Sequence, residues 1–319
     1  SRGWIIWRHS MSLKKVGRTD ESLQSAVDSL RYFRSGTTHE DRKVCALVVA
    51  ETSELFIAEK RFVEALPLAL ESRRRYEDLD RMDVVNGRKT MLAIAKVYAG
   101  LGRHHDSALA YTNIARLDRG EQERLASPVA RQAISMYVEA AKQYVAADKQ
   151  GNAMTAYQSA YQILDEVEVD PEPPDWAGWT RYRVCSGLAI AKISAEDQCG
   201  EALSLFREAE RALRAVDHEP DPESDPTRRA LWLEHACTLL CRLGDCLEDV
   251  QGSATQEVLA LRAEALALAH AMGPGDATRT RAAAAAATRA AESMLRAGHA
   301  RQSSEIAAAA LRELVSGSS

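Results

Sequence analysis

Apolar residues recur at spacings of three and four along most of this 319-residue chain. Met91, Ile94, Ala95 and Tyr98 form one such series, and residues 203–213 contain another. Residues at these spacings lie on one face of an α-helix, whereas a half-buried strand alternates apolar and polar positions. We find no convincing run of alternating β-branched residues in the sequence. The pattern therefore predicts an all-α protein.

A three-residue motif recurs within this helical pattern: a small residue, a second residue four positions later and another small residue three positions after that. Its copies are Ser22-Ala26-Ser29, Ala65-Ala69-Ser72, Ala108-Thr112-Ala115, Ala153-Tyr157-Ala160, Ala202-Phe206-Ala209 and Ser303-Ala307-Ala310. Successive copies begin 43, 43, 45, 49 and 101 residues apart, so a further copy is expected near residue 253. Ala254, Val258 and Leu261 fit that place weakly. These spacings put each copy on one helical face, which suits close contact with a neighbouring helix.

A second feature precedes most copies of the motif: a large apolar residue followed four positions later by a turn-forming residue. Examples are Leu13 with Gly17, Tyr98 with Gly102, Leu240 with Gly244 and Met294 with Gly298. Together the two features predict a helix, a tight turn and a second helix, repeated about seven times. One hairpin cannot bury its own apolar faces, so neighbouring hairpins must stack.

The predicted hairpins resemble the tetratricopeptide repeat (TPR). The residues that carry the resemblance are Met91-x2-Ile94-Ala95-x2-Tyr98-x3-Gly102 followed by Ala108 and Ala115, and Tyr137-x2-Ala140-Ala141-x2-Tyr144 followed by Ala153-Tyr157-Ala160. The resemblance extends over nearly the whole chain, but no copy is a full match. The long period is similar to that of the longer-helix TPR variants of kinesin light chains and bacterial regulators. Another α-solenoid such as HEAT has an overlapping period, although the small–large–small motif favours TPR.

The resemblance implies an α-α superhelix, that is, a TPR-like solenoid formed by one repeat domain over residues 1–319. The expected repeat units are 1–36, 37–80, 81–124, 125–170, 174–217, 224–272 and 275–316. Composition agrees with close helix packing, because apolar residues make up 46% of the chain and aromatic residues only 6%. The core must therefore consist mostly of Ala, Leu and Val.

Charge and cysteine content narrow the expected partners. The net charge is −5, which argues against direct nucleic-acid binding because duplex binding needs a concentrated excess of Lys and Arg. No apolar stretch approaches the roughly 18 residues of a membrane span, so no membrane partner is expected. The six scattered cysteines favour a reducing compartment and hence a cytoplasmic location.

The sequence contains no recognised catalytic motif, and we expect a non-enzymatic protein with no catalytic residues and no cofactor. Phosphate-loop, G-x-S-x-G and H-E-x-x-H patterns are all missing. His104-His105-Asp106 lies in a predicted turn and is interpreted as an exposed polar corner. His235, Cys237, Cys241 and Cys246 raise a zinc hypothesis, but their spacing lacks a C-x2-C pair. Buried core cysteines are the preferred interpretation, so no metal site is predicted.

In TPR proteins the first helix of each hairpin lines a groove that holds a peptide, and the resemblance implies such a groove here. Carried over by register, the groove positions are Leu47, Ala50 and Glu54 in one unit, Lys89, Leu92 and Lys96 in the next, and Ser135, Val138 and Lys142 in the third. Lys96 and Lys142 occupy equivalent places and could attract an acidic group. The carboxylate clamp of chaperone-binding TPR domains is not expected, because Glu54 and Ala191 stand at the places equivalent to Lys96.

Two functional classes follow from this resemblance. The first is a TPR protein–protein interaction domain that binds a peptide or partner protein in its groove as part of a bacterial regulator. The alternative is a peptide-pheromone or small-molecule sensing domain of a transcriptional regulator or signalling NTPase. A homodimer is a further expectation, mediated by Trp4 and Trp7 in the first helix.

Overall fold

The computed structural model describes residues 2–79, 84–119, 127–168, 176–196, 199–216, 226–251, 255–271 and 277–316, and these residues form fourteen α-helices without a strand. The helices are α1 (Arg2–Lys15), α2 (Thr19–Arg34), α3 (His39–Ala58), α4 (Phe62–Glu77), α5 (Val84–Gly100), α6 (His104–Arg119), α7 (Ser127–Ala146), α8 (Gln150–Glu168), α9 (Ala177–Glu196), α10 (Cys199–Val216), α11 (Pro226–Gln251), α12 (Gln256–Ala271), α13 (Ala277–Arg296) and α14 (Ala300–Ser316). They follow one another as seven consecutive pairs.

Five of the pairs are joined by three-residue turns of the same geometry. The middle residue of each turn has a positive φ: Gly17, Lys60, Gly102, Asp148 and Gly298. The residue after it donates its backbone N–H to the carbonyl of the large residue four positions before the middle residue, as from Arg103 to Tyr98 at 2.8 Å. This bond is the signature of a Schellman motif, which satisfies a free carbonyl at the helix end.

The turn predicted at Gly244 is wrong. Gly244 is buried inside α11, which continues without interruption to Gln251. A glycine four positions after Leu240 fits the turn signature, but here its missing side chain makes room for the guanidinium of Arg262.

The residues of the first five copies of the motif are buried except Thr112, which is partly buried, and the central Tyr157 and Phe206 are 8% and 1% exposed. The last copy differs because Ala307 is exposed, although Ser303 is only 9% exposed. The copy expected near residue 253 is shifted, and Ala254 itself lies outside the described residues. Val258, Arg262 and Ala265 take the buried positions on α12, while Leu261 is only partly buried.

The chain divides into two compact units, residues 1–160 and 161–319, with the boundary inside α8. In unit 1, α3 packs on α2, α4 and α5, and α6 packs on α5 and α7. In unit 2, α11 packs on α10, α12 and α13. Helices therefore contact both their hairpin partner and the next hairpin, as stacking requires. A single repeat domain over the whole chain stays a prediction.

The first hairpin of unit 1 encloses the two tryptophans that the sequence offered for self-association. The Trp4 ring centroid lies 5.5 Å from that of Trp7 and 5.3 Å from that of Phe33, with edge-to-face geometry in both cases. All three rings pack in a cluster with Leu30 and Cys45. The homodimer stays a prediction, and these rings already have partners within the chain.

A buried arginine connects three helices of unit 2. Arg262 of α12 is 1% exposed. Its guanidinium donates to the Cys241 carbonyl at 2.6 Å, to Asp245 Oδ1 at 2.6 Å and to Ser293 Oγ of α13 at 3.2 Å. Ser293 in turn donates to Glu248 Oε1 at 2.6 Å. A buried charge is tolerated only when it is paired and hydrogen-bonded in this way.

Two further arginines of α13 complete this network. Arg289 contacts Asp245 at 2.8 Å, and Arg296 contacts Glu248 at 3.1 Å. Each carboxylate on α11 thus faces guanidinium groups from both α12 and α13.

Within the described part of the chain, no helix is both long and apolar enough to cross a bilayer.

Candidate functional site

The predicted groove residues of two adjacent hairpins lie together in unit 1. Leu47, Ala50 and Glu54 of α3 and Lys89 and Leu92 of α5 line the same cleft, whose volume is about 120 Å³. They share it for two reasons. Residues three or four positions apart lie on the same side of their helix, and α3 packs against α5. Register alone was sufficient to find this set.

The floor of the cleft is apolar and tightly packed. Ala69 and Ala93 are 1% and 4% exposed, and Tyr76 is 2% exposed. The buried hydroxyls beside them are satisfied within the protein: Ser53 donates to the Ala65 carbonyl, and Thr90 donates to the Asn86 carbonyl. Because these groups are already bonded, the floor offers mainly apolar contact to a ligand.

Leu47 and Leu92 give the cleft its apolar rim. Leu47 is 39% exposed and Leu92 is partly exposed, so both can lose further apolar surface to a bound group. Burying apolar surface is favourable by roughly 25 cal/mol per Å². A single exposed leucine is ordinary on a protein surface, but two that face a common cleft form a contact point.

Charged side chains stand on both walls of the cleft. Glu51 and Glu54 come from α3, and Lys89 comes from α5. The structure gives none of these three described residues an ion-pair partner. Glu51 was not named from the sequence, although its position between Leu47 and Glu54 on the same helical face could have identified it.

The other predicted groove residues do not line this cleft. Lys96 is exposed on α5, seven residues from Lys89, which corresponds to about 10 Å along the helix. On α7, Ser135 is exposed, but Val138 is 3% exposed and thus part of the packing. Lys142 forms an ion pair with Glu139 on its own helix, with 2.8 Å between Nζ and Oε1.

A second cleft, of about 410 Å³, lies among α4, α5 and α6 and was not predicted. Its lining is Arg73, Tyr76, Glu77, Gly87, Met91, Asn113, Arg116 and Leu117. Arg73 is paired with Glu77 at 2.7 Å across one turn of α4, so this charge is already compensated. Tyr76 borders both clefts and is buried between them.

His104 is partly exposed and His105 is exposed, as expected of a polar corner, whereas Cys237, Cys241 and Cys246 are buried. His104 Nδ1 lies 2.8 Å from Gln143 Oε1, and His105 packs against Tyr144. Cys237 and Cys241 are buried in one apolar cluster and Cys246 in another. Burial raises the pKa of Cys246 to about 12, so the thiol is protonated in this environment. Among the residues with described positions, no three metal-ligating side chains converge.

His235 belongs to an aromatic cluster of unit 2. Its Nδ1 lies 2.9 Å from the Tyr182 hydroxyl, and its ring packs edge-to-face on Trp179 with centroids 5.2 Å apart. Burial, with a smaller contribution from the charge of Arg183, lowers the pKa of His235 below its ordinary value. The neutral imidazole is therefore the form that fits this place.

Comparisons with known proteins identify the fold. No protein-family model and no curated protein matches the chain. The crystal structure of BtubC (BKLC) from P. vanneervenii is similar, with a TM-score of 0.52 and 16% identity over 81% of this chain and 93% of that one. The apo form of RapI is similar with a TM-score of 0.50 and 10% identity, over 99% of this chain and 97% of RapI.

Both similar structures are TPR-type arrangements of helical hairpins. At these identities the likeness concerns the fold, and it confirms the predicted all-α, TPR-like class with seven hairpins.

Proposed function

We propose that unit 1 binds a peptide, or an extended segment of a partner protein, in the cleft between α3 and α5 without catalysing a reaction. The observation that carries this proposal is the convergence of Leu47, Ala50, Glu54, Lys89 and Leu92 on one cleft. First helices of successive hairpins supply these residues, as the TPR resemblance implies for a peptide groove.

The size of the cleft favours a peptide side chain over a free small molecule. Small-molecule sites usually enclose about 300–1,000 Å³, whereas this cleft measures about 120 Å³. That volume suits one apolar side chain of a longer ligand whose remaining parts lie along the exposed faces of α3 and α5. The signal-sensing alternative is retained for a peptide signal, which would use the same contacts.

The wider role proposed here is that of an interaction arm in a cytoplasmic bacterial regulator. The TPR-like fold supports an interaction role, and the net charge of −5 supports a partner other than nucleic acid. Lys96, Ser135 and Lys142 are proposed as outer contacts for a ligand that extends beyond the cleft, since all three are exposed.

The chain offers a matched pair of leucines for the test. Leu47 lies in the cleft and is 39% exposed, and Leu109 on α6 of the same unit lies outside both clefts and is 43% exposed. Peptides are selected from a random phage-displayed library with the wild-type protein, and their affinities are measured by fluorescence anisotropy. We expect Leu47→Asp to weaken the selected peptides at least about tenfold, because a charge replaces the apolar rim.

The control variant Leu109→Asp makes a similar change in exposed surface and is expected to leave the affinities unchanged. Circular dichroism of both variants checks that the helices remain. A library that yields no binding peptide, or peptides that bind both variants equally well, would overturn the proposal.

A further inference from the structure

We infer that the cleft between α3 and α5 is built for an extended peptide that carries an apolar residue flanked by one basic and one acidic residue. This inference rests on the proposed function and deepens it by naming the charge pattern of the ligand. The juxtaposition that supports it is a pair of carboxylates on one wall and an ammonium group on the other, with apolar side chains between them.

The two walls carry opposite charges that do not neutralise each other. Glu51 and Glu54 line the cleft from α3 and Lys89 from α5, yet the structure pairs none of these described side chains with an opposite charge. Elsewhere in unit 1 opposite charges on neighbouring helices do meet: Arg34 contacts Glu71 at 2.5 Å and Arg88 contacts Asp118 at 2.8 Å. The contrast indicates that the space between the walls keeps the charges apart.

A bound peptide of the inferred pattern would supply both missing partners at once. Its apolar side chain would lie against Leu47 and Leu92, a basic residue would face Glu51 and Glu54, and an acidic residue would face Lys89. In an extended chain, residues two positions apart share a face and are separated by about 6.6 Å. Residues two positions before and after the apolar one can thus point to the same surface of the protein.

Lys96 extends the basic wall in one direction. It lies two helical turns beyond Lys89 on α5, and it too has no ion-pair partner among the described residues. Lys142 on α7 differs because Glu139 already compensates its charge. The basic wall therefore belongs to α5, and the acidic wall belongs to α3.

The test uses a set of peptides labelled at the N-terminus, fluorescein-Gly-Ser-X-Gly-Leu-Gly-Z-Ser-Gly-amide, in which X and Z are each Lys, Glu or Ser. Their affinities for the whole chain are measured by fluorescence anisotropy at low and at physiological ionic strength. We expect one of the two mixed-charge peptides to bind about three- to tenfold tighter than the Ser/Ser, Lys/Lys and Glu/Glu peptides. The preference should shrink as salt rises.

A charge-swapped variant makes the expectation directional. Glu54→Lys combined with Lys89→Glu keeps the net charge, makes the α5 wall acidic and leaves α3 with one charge of each sign, so the wild-type preference between the two mixed peptides should be lost or reversed. The control variant combines Glu59→Lys with Lys149→Glu, which lie at exposed places outside the cleft lining, and should preserve the wild-type order. Circular dichroism spectra confirm that each variant keeps its helices.

The outcomes separate this inference from the proposed function. If the designed peptides show no charge preference, bind best as Glu/Glu, or keep their order with the swapped variant, the inference is overturned. In those cases the proposed function stands as long as library-selected peptides still lose affinity with Leu47→Asp. If the library also yields no binding peptide, both the inference and the proposed function are overturned. A doubled mass in light scattering would then indicate that a second copy of this chain occupies the cleft.

Discussion

Replacing Gly244 by alanine should destabilise unit 2, although alanine is the better helix former. A Cβ atom built on Gly244 would lie 2.9 Å from both Cζ and Nη1 of Arg262 and 3.2 Å from Nε. Contacts below 3.0 Å require one of the two groups to move. The guanidinium cannot move freely, because it is held by Cys241, Asp245 and Ser293.

Two opposing terms decide the sign of this effect. Replacing glycine by alanine inside a helix gains about 1 kcal/mol from propensity. Overpacking a filled interior costs about 1–3 kcal/mol, and the loss of one hydrogen bond from a charged group costs about 1.5–3 kcal/mol more. The two costs together exceed the gain, so we expect Gly244→Ala to lower the free energy of unfolding by about 1.5–5 kcal/mol.

Gly200 provides the matched control in the same unit. It is the second residue of α10 and is exposed, and a Cβ atom added to it would meet nothing within 4 Å. Gly200→Ala should therefore be neutral or stabilising by up to about 1 kcal/mol. Both variants are measured by urea titration with circular dichroism at 222 nm, and hydrogen exchange locates the loss of protection in α11 and α12.

A double-mutant cycle tests whether the arginine is the cause. In an Arg262→Met background the guanidinium is absent, so Gly244→Ala should lose most of its cost. The reasoning is refuted if Gly244→Ala is as stable as wild type, or if its cost is the same in both backgrounds.

Two further predictions concern the helix packing and the aromatic cluster. Ala153→Leu should lower the free energy of unfolding by about 1–3 kcal/mol, because Ala153 is 0% exposed and a larger side chain overpacks its helix contact; an unchanged melting temperature in circular dichroism would contradict this. The lowered pKa of His235 means that the folded state favours the neutral ring, so its contribution to stability is complete above the unfolded pKa of about 6.5 and is lost as the pH falls below it. His235→Gln should therefore reduce the decline in urea midpoint between pH 7.5 and pH 5.5, and an equal decline in both proteins would count against the assignment.

The hairpins were predictable because local rules determine them. The signature of a large residue and a turn former found real turns at Gly17, Gly102 and Gly298, where a positive φ suits glycine. That the named residues of α3 and of α5 each lie on one helical face was also predictable from their spacing of three and four, whereas their role as a ligand groove stays a prediction. No tertiary information was needed for either result.

Other features depend on contacts that are distant in sequence. Arg262 takes the central buried position of α12 between Val258 and Ala265, but a charged residue predicts an exposed site until its partners on α11 and α13 are known. Gly244 was mistaken for a turn residue for a similar reason. The sequence does not show that the guanidinium of Arg262 fills the space beside this glycine. Val138 was placed in the groove by register, yet it is buried. Each residue advances by about 100° around the helix, so an error of one position in the register exchanges surface for core.

The buried charges around Arg262 limit how this chain can be divided. A simple stack of hairpins tolerates removal of its last member, because only one contact face is newly exposed to water. Here, deleting α13 and α14 would take Ser293 and Arg296 from Glu248 and Arg289 from Asp245, would leave Arg262 to compensate both carboxylates, and would open to water the faces of α11 and α12 on which α13 packs. The last two hairpins must consequently unfold as one cooperative block, and a truncation after Ala271 would fray α11 and α12 instead of yielding a shorter stable array.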